Sequence, residues 1–313
     1  MKRLVPFVLA LAVSTPASAG SGPWTLAEGS WTAYGGVDYR HFVKLAGQDG
    51  GFTGEGVTLP TGIRTLTVQG VVSYGVLDWA EIELNVPWVY SQADRPDVEA
   101  CTSLGLDACE SVQSLGLITT RAKVRLLDEI YGPPLTLSLG PAIRTGEFTH
   151  DERSRLTAPT EGQTDIGAFL TAGRSGGLGS AGYYAVYAQG AYYFRMPNAE
   201  VGGVNAPGDE WTVDFEATFA PVAFLAFGPD LYLSSREGLT LAEMNESYID
   251  DPDRYAALGV FNVKYGGKVM VRSSRLFTVI LGATQTLYAE NNPTDTFSFS
   301  FGLNYQGVPK DEG

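Results

Sequence analysis

The chain has 313 residues, of which only 18% are charged while 38 are glycine. This composition favours one large closed unit over two ordinary soluble domains, whose surfaces carry more charge. The net charge is −14 and the sequence has no basic stripe, which makes nucleic acid a poor partner because phosphates require a basic footprint. Beyond the N-terminus, no run of about 18 apolar residues predicts a membrane-spanning helix.

The N-terminal residues have the pattern of a secretory signal peptide. A basic start and a short apolar core precede Ala17-Ser18-Ala19, three small residues that match a cleavage site. We therefore expect residues 1–19 to be removed on export. Residues 20–29 would then remain as a short periplasmic or plug segment.

Cys101 and Cys109 are the only cysteines of the chain. In an exported protein, two cysteines this close together in a polar segment are predicted to form a disulfide. Closing that short loop would contribute about 2 to 3 kcal/mol in the chain-entropy model. The two cysteines and two distant histidines offer too few ligands for a metal centre, so we expect no metal and no cofactor.

The strongest signal beyond the signal peptide is a period of two. Ile82, Leu84 and Val86 alternate with Glu81 and Glu83, as expected of a strand with one dry face and one wet face. The same alternation recurs along the chain and predicts about twelve strands. Their expected ranges are 30–43, 63–76, 79–90, 115–127, 135–145, 163–174, 182–195, 210–220, 223–235, 254–271, 276–288 and 295–305.

The connections between these strands alternate in length. Long loops such as 44–62 are followed by tight turns such as Gly75 to Asp78. This sorting favours an antiparallel meander with all long loops at one end, the layout of an outer-membrane barrel, whereas the loops of a soluble sandwich would not sort by length. The predicted fold is all-β, a closed antiparallel transmembrane β-barrel of about twelve strands over residues 30–305, with a polar tail at 306–313.

A bilayer imposes this closure, because lipid cannot hydrogen-bond a free strand edge and outward side chains must be apolar. Pro87, Pro141 and Pro229 fall inside predicted strands and each removes a ladder donor, so we expect bulges or local strand breaks there. Aromatic residues near the predicted strand ends fit the girdles of such barrels. They are Trp31, Tyr74, Trp79, Trp88, Tyr131, Tyr184 and Trp211.

Four segments carry a family resemblance, beginning with a tight turn and an alternating strand that ends in Val-Pro-aromatic. The segments are Tyr74 to Trp88, Ala122 to Leu127, Arg144-Thr145-Gly146-Glu147 and Gly162-Gln163-Thr164-Asp165-Ile166-Gly167. They resemble the outer-membrane family named for the MetA pathway of phenol degradation, regarded as related to the fatty-acid and aromatic-hydrocarbon channels. The resemblance covers roughly residues 60–305 and carries over no substrate residues. It implies an outer-membrane protein that passes small hydrophobic or aromatic molecules.

Charged residues of the polar parity are expected to face the lumen. The acidic side chains at 81 and 83 and the basic ones at 121, 123 and 125 belong to hairpin partners, so we expect them to pair across strands. Two interpretations stay open: ion pairs that fill the barrel, because an unpaired interior charge is costly, or a constriction that filters solutes by charge. The lumen and selectivity candidates are Glu81, Glu83, Arg121, Lys123, Arg125, Arg144, Asp165, Asp214 and Glu216; Asp38, Arg40, Asp230, Lys264 and Lys268 share the inward parity.

Several aromatic residues also fall on the inward parity. They either line an apolar path for an aromatic solute or plug the lumen. A barrel of about twelve strands is intermediate between filled barrels and wide porins, so side chains and loops decide between these outcomes. The aromatic candidates are Phe169, Tyr187, Tyr193 and Tyr232, with Tyr183 and Phe224 on the same parity.

The predicted function is passive uptake of small hydrophobic or aromatic solutes through a bacterial outer-membrane channel, reached by export through the periplasm. The alternative is a structural or surface-interaction barrel with a closed lumen. A lipid-modifying enzyme ranks below both, because His41 has outward parity and His150 lies in a charged loop without an oxyanion glycine pattern; no catalytic residue is predicted. Expected partners are outer-membrane lipid, lipopolysaccharide, the barrel-assembly machinery during insertion, and the small solute itself.

Overall fold

The chain forms one antiparallel sheet of fourteen strands, of which two are short. The computed structural model describes residues 22–47, 49–94, 111–146, 164–196, 208–237, 259–274, 276–290, 292–294 and 296–307. In chain order the strands are β1 (Trp31–Leu45), β2 (Gly51–Phe52), β3 (Val57–Leu77), β4 (Ala80–Ala93), β5 (Val112–Leu115), β6 (Ile118–Leu127), β7 (Thr136–Thr145), β8 (Thr164–Gly177), β9 (Tyr183–Arg195), β10 (Glu210–Val222), β11 (Leu225–Arg236), β12 (Val260–Arg272), β13 (Phe277–Glu290) and β14 (Phe297–Gly307).

The twelve long strands close into a barrel. Each pairs antiparallel with the long strands before and after it in the chain, and β1 closes the circle by pairing with β14. That closing ladder runs without interruption from Trp31 opposite Gly307 to His41 opposite Phe297. The short strands extend the wall beyond the barrel, because β2 pairs with β13 and β5 with β4. The prediction of a closed twelve-stranded meander is confirmed.

The two ends of the barrel differ, as the connection lengths predict. At one end, here called the turn end, short connections join β3 to β4, β10 to β11 and β12 to β13. The connection between β6 and β7 at this end contains a 3-10 turn at Glu129–Tyr131, where Asp128 accepts the backbone N–H of Ile130 at 3.0 Å. Both described termini of the chain also lie at the turn end. The opposite end, here called the loop end, carries the long connections.

Apolar side chains cover the outside of the wall and polar side chains line the inside. Leu170 and Phe299 on the outer face are 50% and 59% exposed, whereas Asp165 and Thr171 on the inner face of β8 are fully buried. This is the reverse of a soluble fold and matches what a bilayer requires of a barrel. Aromatic contacts concentrate at the ends, as in the 5.0 Å separation of the Trp31 and Tyr305 ring centroids.

The three strand prolines sit at interruptions of the ladder, as their missing N–H predicts. Pro87, Pro141 and Pro229 each keep register with one neighbouring strand and face an irregular ladder on the other side. At Pro87, β4 changes partner from β6 to the short β5. The local strand breaks expected from the sequence are therefore present.

These interruptions do not separate the strands. Beside Pro229, the ladder between β10 and β11 skips Ala217 and Thr218. A Cβ added at Gly228 would nevertheless lie only 1.7 Å from the carbonyl oxygen of Ala217. The glycine that precedes this proline lets the two backbones touch, so the wall stays closed beside it.

Most strand limits agree with those predicted from the sequence, with two differences. Strand β3 begins at Val57, six residues before the expected start, because it resumes pairing with β1 beyond a bulge after Phe42. Strand β12 begins at Val260, and residues 254–258 of the expected strand lie outside the described residues. Cys101, Cys109, the expected signal peptide and most of the polar tail also lie outside them. Among the described residues there is no helix long and apolar enough to cross a membrane.

Candidate functional site

The lumen is the concave, polar part of the molecule and contains the residues selected from the sequence. The structure places eight of the nine charged candidates on the inward side of the wall, where they are buried or half-buried, and the ninth, Arg125, at the rim of the turn end. The eight are Glu81, Glu83, Arg121, Lys123, Arg144, Asp165, Asp214 and Glu216. Their contacts differ with depth along the barrel axis.

Residues 22–24, which begin the described part of the chain, lie inside the turn end of the lumen, and residues 25–30 run along its rim to β1. The ammonium of Lys123 donates to the carbonyl oxygens of Gly22 and Trp24 at 3.2 and 2.8 Å. Glu81 forms an ion pair with Lys123 at 3.1 Å and also accepts a backbone N–H of the segment at 2.9 Å. The predicted pairing of Glu81 with Lys123 across strands is thus present, and the pair also binds the N-terminal backbone.

The side chain of Trp24 anchors this segment. It is 6% exposed, and its Nε1 donates to Oε1 of Glu129 at 3.1 Å. Ser175 on β8 holds the same carboxylate by donating from Oγ at 2.7 Å. The indole also packs edge-to-face on Tyr187, with ring centroids 6.3 Å apart. Tyr187, an aromatic lumen candidate, therefore packs against the chain's own tryptophan.

An apolar cluster faces the lumen from another part of the wall at the turn end. It joins Tyr34 to Ala226, Met270 and Ile280, which belong to β11, β12 and β13. The Tyr34 ring lies across Gly302 of the neighbouring strand, where a Cβ would come within 2.2 Å of it. The turn-end half of the lumen is consequently occupied both by residues 22–24 and by this cluster.

A network of arginines and carboxylates lies nearer the loop end. Arg144 binds the fully buried Asp165 at 2.8 Å and Glu210 at 2.9 Å, and Arg195 approaches Asp165 at 3.7 Å. The guanidinium of Arg144 also stacks on the ring of Tyr193, 3.6 Å from its centroid. Two of the charged candidates therefore form ion pairs that link four strands, β7 to β10.

Arg121 departs from the expected pairing. It stands directly opposite Glu83 in the register of β4 and β6, yet these two form no ion pair. Its Nη2 donates to the hydroxyl of Tyr193 at 3.2 Å, and its guanidinium lies 5.4 Å from the ring centroid of Phe169. Glu83 accepts from Ser73 at 3.4 Å instead. Aromatic contacts have replaced the carboxylate partner of Arg121.

A second acidic group lies between β10, β11 and β12. Glu216 forms an ion pair with Lys268 and accepts the phenol of Tyr187 at 2.7 Å. Asp214 and Asp230 lie beside it, in contact with each other. This group therefore joins the candidates Asp214 and Glu216 to the wall that adjoins the N-terminal segment.

The described residues leave a cavity in the lumen wall opposite the ion-pair network. This cavity of about 220 Å³ lies against β1 and the four strands from β11 to β14. Arg40 on its wall is held at 2.5 Å by Asp38. The candidate Tyr232 lines the cavity, whose full lining is Asp38, Arg40, Asp230, Tyr232, Ser234, Asn262, Lys264, Tyr265, Thr284 and Ser298.

Three sequence-based placements need correction. Arg125 lies at the rim of the turn end, where it binds Asp128 at 2.9 Å, because the register of β6 carries it past the acidic partners on β4. Tyr183 is 45% exposed at the first position of its strand, and Phe224 is 60% exposed in the turn between β10 and β11. Parity fails to predict lumen contact at these positions, because a strand end or turn no longer constrains the side chain.

Sequence reasoning missed the N-terminal contact between Trp24 and Glu129 and the partners that Arg195 and Glu210 provide. Alternation along β9 could have identified Arg195, which continues the inward parity of Tyr193. No local pattern links Trp24 with Glu129, which are 105 residues apart. Only the closed barrel brings that pair together.

The histidine that the structure describes lies away from this lumen network. His41 contacts Asp94 at 2.8 Å near the loop end, and Arg64 forms an ion pair with the same carboxylate. His150 lies outside the described residues. Within the described part of the chain, no group of three or more histidine, cysteine or acidic residues is arranged to hold a metal ion.

The chain is similar in structure to a known channel. The COG4313 outer membrane channel from Pseudomonas putida F1 superposes with a TM-score of 0.70 at 11% identity, over 93% of this chain and 100% of that one. The CymD monoaromatic hydrocarbon channel gives 0.38 at 10% identity, over 92% of this chain and 90% of that one. The KdgM porin gives 0.42 at 8% identity, over 86% and 98%.

These identities are low, so the first likeness shows a shared barrel fold and the other two carry no argument. No family model matches the chain, and no curated protein matches it.

Proposed function

We propose that this protein is an outer-membrane channel for the passive entry of small solutes, with its turn end facing the periplasm. The observation that carries the proposal is the cavity of about 220 Å³ in the middle of a closed barrel, lined by polar and charged side chains. Charged groups lose hydration when they line a barrel interior, which costs free energy. A barrel with a purely structural role would have no use for a cavity lined by such groups. The apolar outer face and the shared fold with a bacterial outer membrane channel support the location.

The turn-end half of the lumen is the barrier in this proposal. Residues 22–24 act as a plug, held by Lys123 and Glu129, and the Tyr34 cluster lines the facing wall. A solute would enter from the loop end and reach the cavity first. Passage to the periplasm would then require the N-terminal segment to move, because it occupies the exit.

The cargo is proposed to be hydrophobic or aromatic, in line with the family resemblance to proteins named for phenol degradation. Tyr232 offers a ring face in the cavity, whereas the rings of Tyr193 and Phe169 are buried under Arg144 and Arg121. The ion-pair network around Arg144 would narrow the path and filter solutes by charge. Removal of the signal peptide, a disulfide between Cys101 and Cys109, and contacts with lipopolysaccharide and the assembly machinery remain part of the proposal.

Uptake into liposomes tests the channel function. The refolded mature protein would be inserted into vesicles that contain an enzyme to trap the entering solute, because simple aromatics cross bilayers unaided. We expect protein-dependent acceleration for a small phenol but not for a sugar of similar size. No acceleration of either solute by a correctly folded barrel would refute the proposal.

A closed structural barrel is the second candidate function, and the filled turn end favours it. If residues 22–24 never leave the lumen, the barrel would serve envelope integrity or surface interaction through its loops. The two candidates differ in one measurable quantity, because only the channel should show increased ion conductance when the contacts of Trp24 are removed.

A further inference from the structure

The cavity in the middle lumen has two basic side chains on one wall. Arg40 on β1 and Lys264 on β12 both line it and lie within electrostatic range of each other. One carboxylate, Asp38, accompanies them and is engaged by Nε of Arg40 at 2.5 Å. Two cations thus share one carboxylate at this end of the cavity.

Among the residues that the structure describes, none is a direct partner of the Lys264 ammonium. Within the described part of the chain it makes no hydrogen bond and no ion pair, although its side chain lies in the lumen wall. The Nη groups of Arg40 are likewise unused by the residues described, since Asp38 accepts from Nε alone. Charged donors of this kind form strong charge-assisted hydrogen bonds with a carboxylate.

The same cavity holds acceptors that lack donors. Asn262 is 5% exposed, and its Oδ1 has no hydrogen-bond partner among the described residues. Oδ1 of Asp230 likewise has no hydrogen-bond partner among the described residues. Because a buried polar atom without a partner costs free energy, these acceptors favour a ligand that brings its own donor.

The size of the cavity limits the ligand. Its volume of about 220 Å³ is below the range of drug-sized pockets. Tyr232 adds a flat aromatic face on β11. A molecule with one ring and two polar substituents fits these limits.

We propose that this cavity is a binding subsite for a small organic acid that carries a hydroxyl group, with its carboxylate between Arg40 and Lys264. The hydroxyl donates to Asn262 or Asp230. This inference deepens the proposed channel function and rests on it, because it names the chemical class that the lumen retains on its way through.

Binding to the refolded mature protein in detergent micelles tests the subsite without requiring transport. Equilibrium dialysis against 4-hydroxybenzoate, corrected with protein-free micelles, should show saturable binding at one site. Its methyl ester, which keeps the ring and hydroxyl but lacks the charge, should bind at least about tenfold more weakly, since a charge-assisted hydrogen bond is lost. Equal binding of acid and ester, or no saturable binding, would overturn the proposal.

Lys264→Met removes the ammonium and keeps most of the apolar stem. It should weaken 4-hydroxybenzoate binding about tenfold, in keeping with the loss of one charged hydrogen bond. Lys44→Met is the matched control, because Lys44 lies at the loop end of β1 and donates to the carbonyl of Gly54, outside the cavity. It makes the same change in net charge and should leave the affinity unchanged. An equal loss of affinity in both variants would mean that only the overall charge of the protein matters, and it would refute the subsite.

The acid and ester comparison uses the unmodified chain, so the proposal stays testable if Lys264→Met does not fold. Liposome uptake tests the channel, whereas equilibrium dialysis tests the subsite. Saturable binding without transport would keep the subsite and refute the channel, whereas transport without saturable binding would keep the channel and refute the subsite.

Discussion

The ammonium of Lys123 on β6 donates to the backbone carbonyl of Trp24 at 2.8 Å. This bond joins the barrel wall to a segment that precedes the first strand, and Glu81 reinforces it by pairing with Lys123 and accepting a backbone N–H of that segment. An ion pair that would otherwise only fill the lumen thereby fixes the N-terminal segment. The state of the channel is expected to depend on these contacts.

The position of Trp24 inside the lumen predicts its response to lipid-borne quenchers. A variant that keeps only Trp24, with the other four tryptophans changed to phenylalanine, should show little fluorescence quenching by brominated lipid. A variant that keeps only Trp31, which is 39% exposed on the outer face of β1, should be quenched strongly. Strong quenching of Trp24 would contradict its insertion into the barrel.

Trp24→Ala removes both the Glu129 hydrogen bond and the edge contact with Tyr187. We expect single-channel conductance in planar bilayers to increase, because the segment loses its anchor while the wall is untouched. Trp31→Ala serves as the control, since its side chain lies on the outer face of β1 and the substitution should change conductance little. Unchanged conductance in Trp24→Ala would favour a permanently closed barrel.

Substitution of Asp165 is predicted to lower the stability of the barrel strongly. It is fully buried and serves both Arg144 and Arg195, so Asp165→Asn leaves cationic groups with too little negative charge. Loss of one partner of a buried pair lowers the free energy of unfolding by about 3 kcal/mol or more. Urea unfolding in lipid vesicles, followed by tryptophan fluorescence, would measure this.

Asp209→Asn provides the comparison for that measurement. Asp209 lies at the loop end, where it accepts an exposed hydrogen bond from Tyr192 at 2.7 Å and the backbone N–H of Arg195 at 3.2 Å, and asparagine keeps an acceptor for the backbone bond. Its substitution should cost less than about 1 kcal/mol, as for other exposed pairs. Similar losses in the two variants would show that the Asp165 network does not stabilise the barrel.

The close approach of two backbones beside Pro229 is predicted to require glycine at position 228. An alanine Cβ there would overlap the carbonyl oxygen of Ala217, which belongs to backbone and cannot rotate away. Gly228→Ala should destabilise the barrel by about 3 kcal/mol, the upper end for overpacked sites, and reduce the refolded fraction. The heat-modifiable shift of folded barrels in gel electrophoresis would measure that fraction.

Gly190→Ala is the matched control, because a Cβ at Gly190 meets no atom within 4 Å. It should refold as well as the unmodified chain. If both alanine variants refold equally, the strands beside Pro229 are further apart than described, and a lateral opening there becomes possible.

Sequence alternation was sufficient to predict the wall of the barrel. A strand between lipid and a polar lumen has two different solvents on its two faces, so a period of two defines the strand and the direction of each side chain. Glu81, Asp165 and Glu216 therefore lie inside, where their parity places them. The tight turns and the strand interruptions at prolines could also be predicted, because both depend on local backbone geometry.

Ion pairing within the lumen could be predicted from the sequence only where the two partners lie on adjacent strands of one hairpin. Glu81 and Lys123 face each other across adjacent strands and do pair. Glu83 and Arg121 face each other in the same ladder and do not, since Tyr193 and Phe169 reach Arg121 from β9 and β8. A competing partner on a more distant strand is invisible to local pattern.

The sequence by itself determined the strand number, the two faces of the wall and the sorting of the loops, because each depends on local alternation and turn chemistry. Only the tertiary structure decided that residues 22–24 enter the lumen, that Trp24 meets Glu129, and that an open cavity remains beside Arg40 and Lys264. The physical reason is closure. Curving the sheet brings strands far apart in sequence to face one another across a few ångströms, and that distance sets which charges pair and which remain available to a ligand.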